Sequence, residues 1–403
     1  MTGVRRPVSP AAPAPPSPIR RAIAVVRAGS GGSTTNEYLA LAAILVLLNL
    51  IGLVMVLSAS SVYSLEEHGS SWAIFLRQAF SAGIGLVLLL IAQRVDYRSW
   101  RKVSGIGLAV ALGLLLFVLI PGVGAGANGA TRWIAVGPIS IQPSEVAKLA
   151  LLVYAAMFIA RNIHDVQRSL RAVVPLLGFT GVIVVLIMLQ PNLGTTLITV
   201  AIVAVMLFTA GAPWRPLAGV GALLTAAAVV AAWAAPYRRA RVLAFLDPWA
   251  DPAGTGYQTL QASSAIAEGG WTGVGIGASR AKWGFLPFAH TDFIFAIIAE
   301  EFGIIGAAVV VALYGGLVVV GARVARRVPD HFGMLLATGV TAWFGLQALV
   351  NMGAVVGLLP ITGVPLPFVS AGGSALFANM AAAGVLLGVA RHAGRVGAAT
   401  SGS

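Results

Sequence analysis

The sequence has no cysteine and little charge, and each shortage excludes a class of protein. Without cysteine the chain forms no disulfide and offers no thiolate as nucleophile or metal ligand. Its five histidines are well separated, with no HxxxH pattern, which argues against a histidine metal site. Charged residues are 10% of the 403 residues, against about 25% in soluble domains. The composition therefore excludes an ordinary cytosolic protein.

Long apolar runs fill most of the chain. Hydrophobic residues make up 58% of it, and the mean hydropathy is +0.90. Runs of about 20 residues recur from Tyr38 onward, the length a helix needs to cross about 30 Å of hydrocarbon. We therefore predict an all-α integral membrane protein with about ten transmembrane helices. The predicted spans are 38–59, 73–92, 103–121, 143–160, 172–189, 193–211, 216–235, 292–322, 332–358 and 374–390.

The distribution of basic residues predicts the orientation of these spans. The net charge is +13, but the 26 lysines and arginines are scattered in small groups between spans, so a nucleic-acid partner is not indicated. If the N-terminus is inside, 18 cations fall in inside segments and six in outside segments. We therefore expect a multi-pass protein of the cytoplasmic (inner, plasma) membrane with both termini cytoplasmic.

Three regions follow from composition. Residues 1–36 hold six prolines between Pro7 and Pro18, and we expect a disordered Pro/Arg-rich cytoplasmic tail. Residues 37–392 form the transmembrane domain, and 393–403 form a short cytoplasmic tail. Residues 236–291 form a large external loop between helices 7 and 8, long enough to indicate a function.

Four polar motifs precede even-numbered spans at their external ends. They are Gln142–Glu145, Gln190–Thr195, Pro287–Asp292 and Pro365–Ser374. Helix N-termini carry unpaired N–H groups and partial positive charge, so together they favour an anion such as phosphate. The alternative is that Pro and Ser simply start helices.

Several ionisable residues lie in or beside the spans. Glu145 and Lys148 share one helical face and can neutralise each other, either at a site or as a buried structural pair. Asp292 lies at the start of a span, where it can also be a helix cap. Of Glu300 and Glu301, at most one can face the same cavity as Asp292.

Two cations are each followed by tryptophan. Arg132-Trp133 and Lys282-Trp283 both fall near predicted external span ends. Tryptophan is enriched at membrane interfaces, so anchoring in the headgroup region is one interpretation of both pairs. A role of the two cations at a site is the other.

Four long motifs in these regions resemble one known family. They are RWIAVGPISIQPSEVAKL at 132–149, GYQTLQASSAIAEGGWTGVGIGASRAKWGFLP at 256–287, HTDFIFAIIAEEFG at 290–303 and PLPFVSAGGS at 365–374. With them the chain resembles the SEDS (FtsW/RodA/SpoVE) family of peptidoglycan glycosyltransferases over about residues 40–390. The stretches at 52–64 and 279–287 resemble its cell-division branch more than its elongation branch.

The resemblance implies an activity, a partner and residue roles. It implies ten spans and polymerisation of lipid II at the outer face of the membrane during septal cell-wall synthesis. A class B penicillin-binding protein, with other divisome proteins, would be the partner. Asp292 matches the essential acid. The positions implied to bind substrate are Arg132, Glu145, Lys148, Lys282, His290 and Ser370.

Three positions depart from the family's usual pattern. Asn192 stands where Asp is common, Phe288 where Glu is common, and Ala371 where Tyr is common. No family role is therefore carried onto these three residues.

The reaction that the resemblance implies, transfer of a sugar from a polyprenyl pyrophosphate to a sugar hydroxyl, needs only one carboxylate. A sugar hydroxyl is a weak nucleophile and needs a base, for which we predict Asp292. Pyrophosphate leaves without protonation if cations stabilise it, for which we predict Arg132 and Lys148, with Glu145 holding Lys148. A divalent cation, Mg²⁺ or Mn²⁺, is an optional cofactor, although the sequence shows no ligand cluster for it.

Other functions stay open at this point. A lipid II flippase is one, although transporters usually show repeats and broken helices near the midplane. Another glycosyltransferase acting on polyprenyl-pyrophosphate-linked sugars, such as an O-antigen ligase, is a second. A non-enzymatic divisome scaffold is a third.

Overall fold

The structure is a computed structural model, and it describes residues 32–400 apart from 123, 128–129, 138, 216, 220, 223–232 and 234–235. The described segment is mostly helical. Its labelled helices are α1 (Gly32–His68), α2 (Ala73–Arg94), α3 (Tyr97–Phe117), α4 (Pro143–Arg161), α5 (Ile163–Arg168), α6 (Val174–Leu189), α7 (Leu193–Thr209), α8 (Pro236–Leu246), α9 (Tyr257–Gly269), α10 (Ile294–Arg327), α11 (His331–Val355) and α12 (Gly373–Thr400).

The helices confirm a multi-pass membrane protein. Among the described residues, eight helices are long and apolar enough to cross a membrane, and α7 is a shorter apolar helix. Each coincides with a predicted span. The predicted span at 216–235 falls largely outside the described residues. Helix α1 begins at Gly32, within the predicted tail, and α12 continues to Thr400, through most of the predicted C-terminal tail.

The helices divide into an inner and an outer set. In α12 and α11, 83% and 67% of the most apolar window is buried by the rest of the chain, whereas in α2 and α3 only 22% is. Small residues permit α12 to pack closely even against an outer helix. A Cβ at Gly384 of α12 would lie 2.5 Å from the carbonyl oxygen of Leu89 in α2, so only glycine fits there.

Side chains at the helix starts explain several boundaries. Pro143 occupies the first turn of α4, where its missing N–H costs nothing. Asn192 caps α7 by accepting from the Thr195 N–H at 3.2 Å. Asp330 caps α11 by accepting from the Gly333 N–H at 2.9 Å.

The connections at one end of the bundle are structured. A small antiparallel sheet, absent from the all-α prediction, precedes α4; its strands are β1 (Ala125–Ala127), β2 (Ala130–Val136) and β3 (Ile139–Ile141). The predicted large loop at 236–291 contains α8, α9 and a π-helical turn at Ala281–Phe285. Helix α8 lies near the turn before α10 that holds Asp292, and the π-helical turn packs against Glu300 and Glu301 further along α10.

Candidate active site

Asp292 lies in the turn before α10 and is partly buried. The residue at the cap position of α10 is Phe293, and no side chain caps this helix, so the carboxylate of Asp292 is not used as a cap. The backbone around it is fixed because the Asn351 amide of α11 donates to the Asp292 and Val364 carbonyl oxygens, both at 2.8 Å. The backbone of this turn is therefore held in place by Asn351, and the Asp292 carboxylate is not needed to cap the helix.

Arg241 of α8 shares a close environment with Asp292. A Cβ placed on Gly363 would lie 3.5 Å from Asp292 Oδ2 and 3.9 Å from Arg241 Nη1. Gly363 has φ +70°, a conformation that side chains disfavour, so glycine leaves room here for both charged groups. Arg241 Nη1 also donates to the Ile361 carbonyl oxygen at 3.2 Å. Sequence reasoning counted Arg241 only as a loop cation, because no motif marks it.

Arg132 of β2 reaches the same end of the bundle. Its Nε donates to the Gln190 carbonyl oxygen at 2.9 Å, and its Nη2 donates to the Pro191 carbonyl oxygen at 2.7 Å. The first turn of α7 packs on residues 362–364, since a Cβ on Gly194 would overlap the Val364 side chain at 2.3 Å. The sheet, the turn at 190–192 and the segment before α12 thus converge on Asp292.

The environment of Asp292 changes its acidity. Burial raises the pKa of the Asp292 carboxyl from 3.8 to about 6, while the charges of Arg241 and then Arg132 oppose the rise. A pKa near 6 leaves the carboxylate ionised at neutral pH but more basic than an exposed aspartate. That is the range expected of a general base.

His290 and Ser370 lie beside this turn. The His290 ring stacks on Tyr63 of α1, with centroids 5.3 Å apart, and burial lowers the His290 pKa to about 4. Its carbonyl oxygen accepts from the Ala371 N–H at 2.9 Å. The Ser370 hydroxyl accepts from the Leu366 N–H at 2.8 Å, and the residue is buried. His290 therefore connects the Asp292 turn to the segment before α12, whereas Ser370 forms its hydrogen bond within that segment.

Glu145 and Lys148 form an ion pair in the core. Lys148 Nζ lies 2.9 Å from Glu145 Oε1 and donates to Gln347 Oε1 at 3.0 Å, and it sits 4.6 Å from the centre of the Trp343 ring. Lys148 is only 1% exposed and Glu145 only 2%. Gln347 also donates to the Pro365 carbonyl oxygen at 2.8 Å. Lys148 was expected to contact pyrophosphate; here it is enclosed and braces α4 against α11.

Lys282 also lies away from Asp292. Its Nζ donates to the Gly277 carbonyl oxygen at 2.5 Å and lies 3.6 Å from Glu301 Oε1, which in turn accepts from the Ser58 hydroxyl at 2.6 Å. The structure thus buries this cation, which was expected to bind substrate, in an ion pair that ties the π-helical turn to α1 and α10.

The adjacent glutamate holds the same turn. Glu300 accepts from the Ser279 hydroxyl and from the Arg280 N–H, both at 2.6 Å. Both glutamates are fully buried in contacts of their own and neither joins Asp292. Their contacts are structural. The sequence analysis allowed at most one of the two to face the Asp292 cavity, and neither does.

The cavity beside the Asp292 carboxylate is small. The hollow that Asp292 lines beside Gly363 and Asn351 is only about 10 Å³, about enough for one water. A larger cavity of about 230 Å³ lies next to it, lined by Arg241, Phe288 and Ile361 among others. A sugar at Asp292 therefore requires the surrounding loops to open.

The three family departures have distinct surroundings. Asn192 keeps a capping function through its side-chain oxygen. Ala371 donates its backbone N–H to the His290 carbonyl oxygen, a contact that does not depend on the side chain. Phe288 has φ +60° and is 51% exposed, and it places an apolar ring in the wall of the 230 Å³ cavity.

The described residues do not provide a resident metal site. Among them there is no group of three or more His, Asp or Glu side chains placed to hold a metal ion.

The arrangement has the parts for transfer from a phosphorylated donor. A partly buried carboxylate with a raised pKa can accept a hydroxyl proton. Two guanidinium groups near it can stabilise an anionic leaving group, because charge stabilisation is strongest where water is excluded.

Comparison with known proteins decides the family. A model of the family described as cell cycle protein, FtsW/RodA/SpoVE, matches residues 38–395. The chain belongs to this family. The resemblance inferred from the motifs is thereby confirmed.

Curated relatives match over nearly their full length. The chain is 41% identical over 358 residues to stage V sporulation protein E of Bacillus subtilis, covering 89% of this chain and 98% of the relative. It is 40% identical over 344 residues to a probable peptidoglycan glycosyltransferase FtsW of Geobacter metallireducens, covering 85% and 92%. A sporulation protein and FtsW proteins thus match about equally well.

Solved structures share the fold. A chain from a peptidoglycan synthase complex, studied for the coordination of polymerization and crosslinking, superposes with a TM-score of 0.72 at 32% identity, covering 89% of this chain and 97% of that one. The rod shape determining protein RodA of Thermus thermophilus superposes with a TM-score of 0.63 at 28% identity, covering 87% and 95%.

Proposed function

We propose that this protein is a peptidoglycan glycosyltransferase that polymerises lipid II into glycan strands, with Asp292 as its general base. The carrying observation is the placement of Asp292 in a family member: a carboxylate held in a fixed turn, not used as a cap, with two arginine charges acting on it. The named relatives support the glycosyltransferase class.

The proposed reaction balances with one base. The acceptor sugar's 4-hydroxyl attacks the anomeric carbon of the donor, and the bond from that carbon to the pyrophosphate oxygen breaks. Asp292 accepts the hydroxyl proton, and polyprenyl pyrophosphate leaves with the bonding electrons. Glycosidases need a second carboxyl as acid because their leaving group is an alkoxide. Pyrophosphate is already a stable anion, so a second acid is not required.

The cations have different proposed roles. Arg132 and Arg241 stabilise the pyrophosphate from the sheet and from α8, since both act electrostatically on Asp292. Lys148 and Glu145 position the neighbouring segment through Gln347 and its bond to the Pro365 carbonyl oxygen. Lys282 fixes the π-helical turn with Glu301.

The orientation and partner are part of the proposal. The charge asymmetry supports cytoplasmic termini, and in that orientation Asp292 would lie at the outer face. A class B penicillin-binding protein is the proposed partner, supported by the fold shared with a chain of a peptidoglycan synthase complex. Such a partner would crosslink the strands, and other divisome proteins would join in septal synthesis.

Detergent micelles separate polymerisation from transport. A micelle has no two sides, so a flippase leaves lipid II chemically unchanged there. We expect the purified protein with its class B partner and a divalent cation to convert lipid II to glycan chains, and the Asp292→Asn variant to do so at least about 10²-fold more slowly. A folded preparation that forms no polymer, but moves lipid II across sealed vesicles, would contradict the enzyme proposal and favour a transporter.

A further inference from the structure

A large cavity lies at the end of the bundle opposite Asp292. It has a volume of about 820 Å³ and is lined by the first turns of α3, the end of α4 and the start of α11. Helix α10 separates it from Asp292, since α10 begins at Ile294 and ends at Arg327, just before Asp330 in the cavity wall. The two sites thus belong to opposite membrane faces.

Four cations line this cavity. Arg98, Arg101 and Lys102 stand at i, i+3 and i+4 on α3, so they share one face, and Arg161 ends α4. All four are exposed, and among the described residues none forms an ion pair. Their like charges repel one another, which an anion in the cavity would relieve.

Among the described residues that line the cavity, the one acid, Asp330, already accepts two hydrogen bonds. Asp330 accepts from the Tyr97 hydroxyl through one oxygen and from the Gly333 N–H through the other, at 2.9 Å for the second. It caps α11, and its negative charge also acts on Arg98, but the lining holds four cations against this single acid. The cavity therefore keeps a strong positive charge.

Its surroundings favour a lipid over a soluble anion. Immediately after the cations, α3 presents Val103 and Ile106 to the outside, 46% and 68% exposed, where the span enters the hydrocarbon. Phe332 and Met157 provide apolar wall at the same level. A lipid whose anionic headgroup is bound in the cavity could therefore place its acyl chains against these apolar residues.

We propose that this cavity binds the phosphodiester headgroup of an anionic phospholipid of the inner leaflet. Arg98, Arg101, Lys102 and Arg161 contact the phosphate, and the acyl chains lie along Val103 and Ile106. Basic pockets between transmembrane helices are suited to such headgroups because guanidinium and phosphate pair closely. The site is independent of the glycosyltransferase chemistry at Asp292.

The test measures lipid binding to the purified full chain. Phosphatidylglycerol, phosphatidylcholine and inorganic phosphate are titrated separately in detergent, with bound lipid counted by native mass spectrometry. The test variant is Arg101→Gln with Lys102→Gln. The matched control is Arg168→Gln with Arg171→Gln, which removes two exposed cations between α4 and α6 that do not line the cavity.

We expect phosphatidylglycerol to bind the wild type well ahead of phosphatidylcholine. The cavity variant should bind it about 25-fold more weakly, near fivefold per cation. The control should bind like the wild type, and the melting temperature of both variants in phosphatidylcholine should equal that of the wild type.

Three results would overturn the proposal. Equal binding of the two lipids would show no headgroup recognition. Equal loss in the control would show general surface attraction. Displacement of the lipid by equimolar inorganic phosphate would show a site for a soluble anion.

Discussion

The two ends of α10 treat charge in opposite ways. Near its start, Asp292 lines a hollow of about 10 Å³ and Arg241 lines a cavity of about 230 Å³. Arg132 and Arg241 there donate to backbone carbonyl oxygens. Beyond its end, Arg98, Arg101 and Lys102 line an open cavity of about 820 Å³ without ion-pair partners among the described residues.

The difference indicates what each end is suited to do. Enclosed charges feel one another strongly because water does not screen them, so a pKa can be tuned for catalysis. Open charges are screened by water and stay accessible, so they suit recognition of an abundant anion. Changes at the enclosed end should therefore have much larger effects than the same changes at the open end.

The largest expected effect is that of Asp292→Asn. The amide keeps the size of the carboxylate but accepts no proton, so the rate of lipid II polymerisation should fall by about 10²–10⁴-fold or more. Membrane insertion and melting temperature should be retained. Glu67→Gln removes an exposed carboxylate at the end of α1 and serves as control. Near-normal glycan synthesis by Asp292→Asn would show that Asp292 is not the general base.

The next effect is that of Arg241→Gln. Loss of one group that stabilises the leaving pyrophosphate should lower the polymerisation rate by about 10²-fold. Arg239→Gln, on the same helix beside Trp233, should leave the rate nearly unchanged. Equal rates for the two variants would place the leaving group elsewhere.

A third effect separates positioning from catalysis in the core. Lys148→Met leaves the Glu145 carboxylate buried without its partner, which should cost about 3–5 kcal/mol of unfolding free energy. Adding Glu145→Gln removes the stranded charge and should restore most of that stability, and the rate with it. A double variant that is stable but as inactive as Lys148→Met would instead give Lys148 a direct role at substrate.

The smallest effect is expected at the open end. Arg101→Gln with Lys102→Gln should change the unfolding free energy by less than about 0.5 kcal/mol, as for most exposed substitutions. Polymerisation in phosphatidylcholine micelles should stay near the wild-type rate. A large loss in either measurement would show that the two ends are not independent.

How far the sequence predicts this molecule depends on how local each signal is. Apolar runs gave nine spans that the described helices match, because burial in lipid depends on length and composition. Asp292 was found through its motif. Arg241 was missed because its role depends on α8 folding back to Gly363, a long-range contact without a local pattern.

The two lysines show the opposite limit. Lys148 and Lys282 were placed at substrate because both lie near the external ends of spans and in family motifs. The structure encloses each with a glutamate, at 2.9 and 3.6 Å. Helical spacing identified the first pair, whereas the second joins residues 19 positions apart across a turn, which spacing cannot show.

The central claim, that Asp292 is the titrating base, is tested most directly by the pH dependence of kcat/KM for lipid II. A raised carboxyl pKa means that the base is lost by protonation as pH falls, so the rate should drop about tenfold per pH unit below about 6. Because the Arg241 charge lowers the Asp292 pKa, Arg241→Gln should move the midpoint to higher pH, whereas Arg239→Gln should not. Two results would contradict the assignment. One is a midpoint that Arg241→Gln leaves unchanged. The other is a rate that stays constant between pH 5 and pH 7, as expected for a base with the ordinary aspartate pKa of about 3.9.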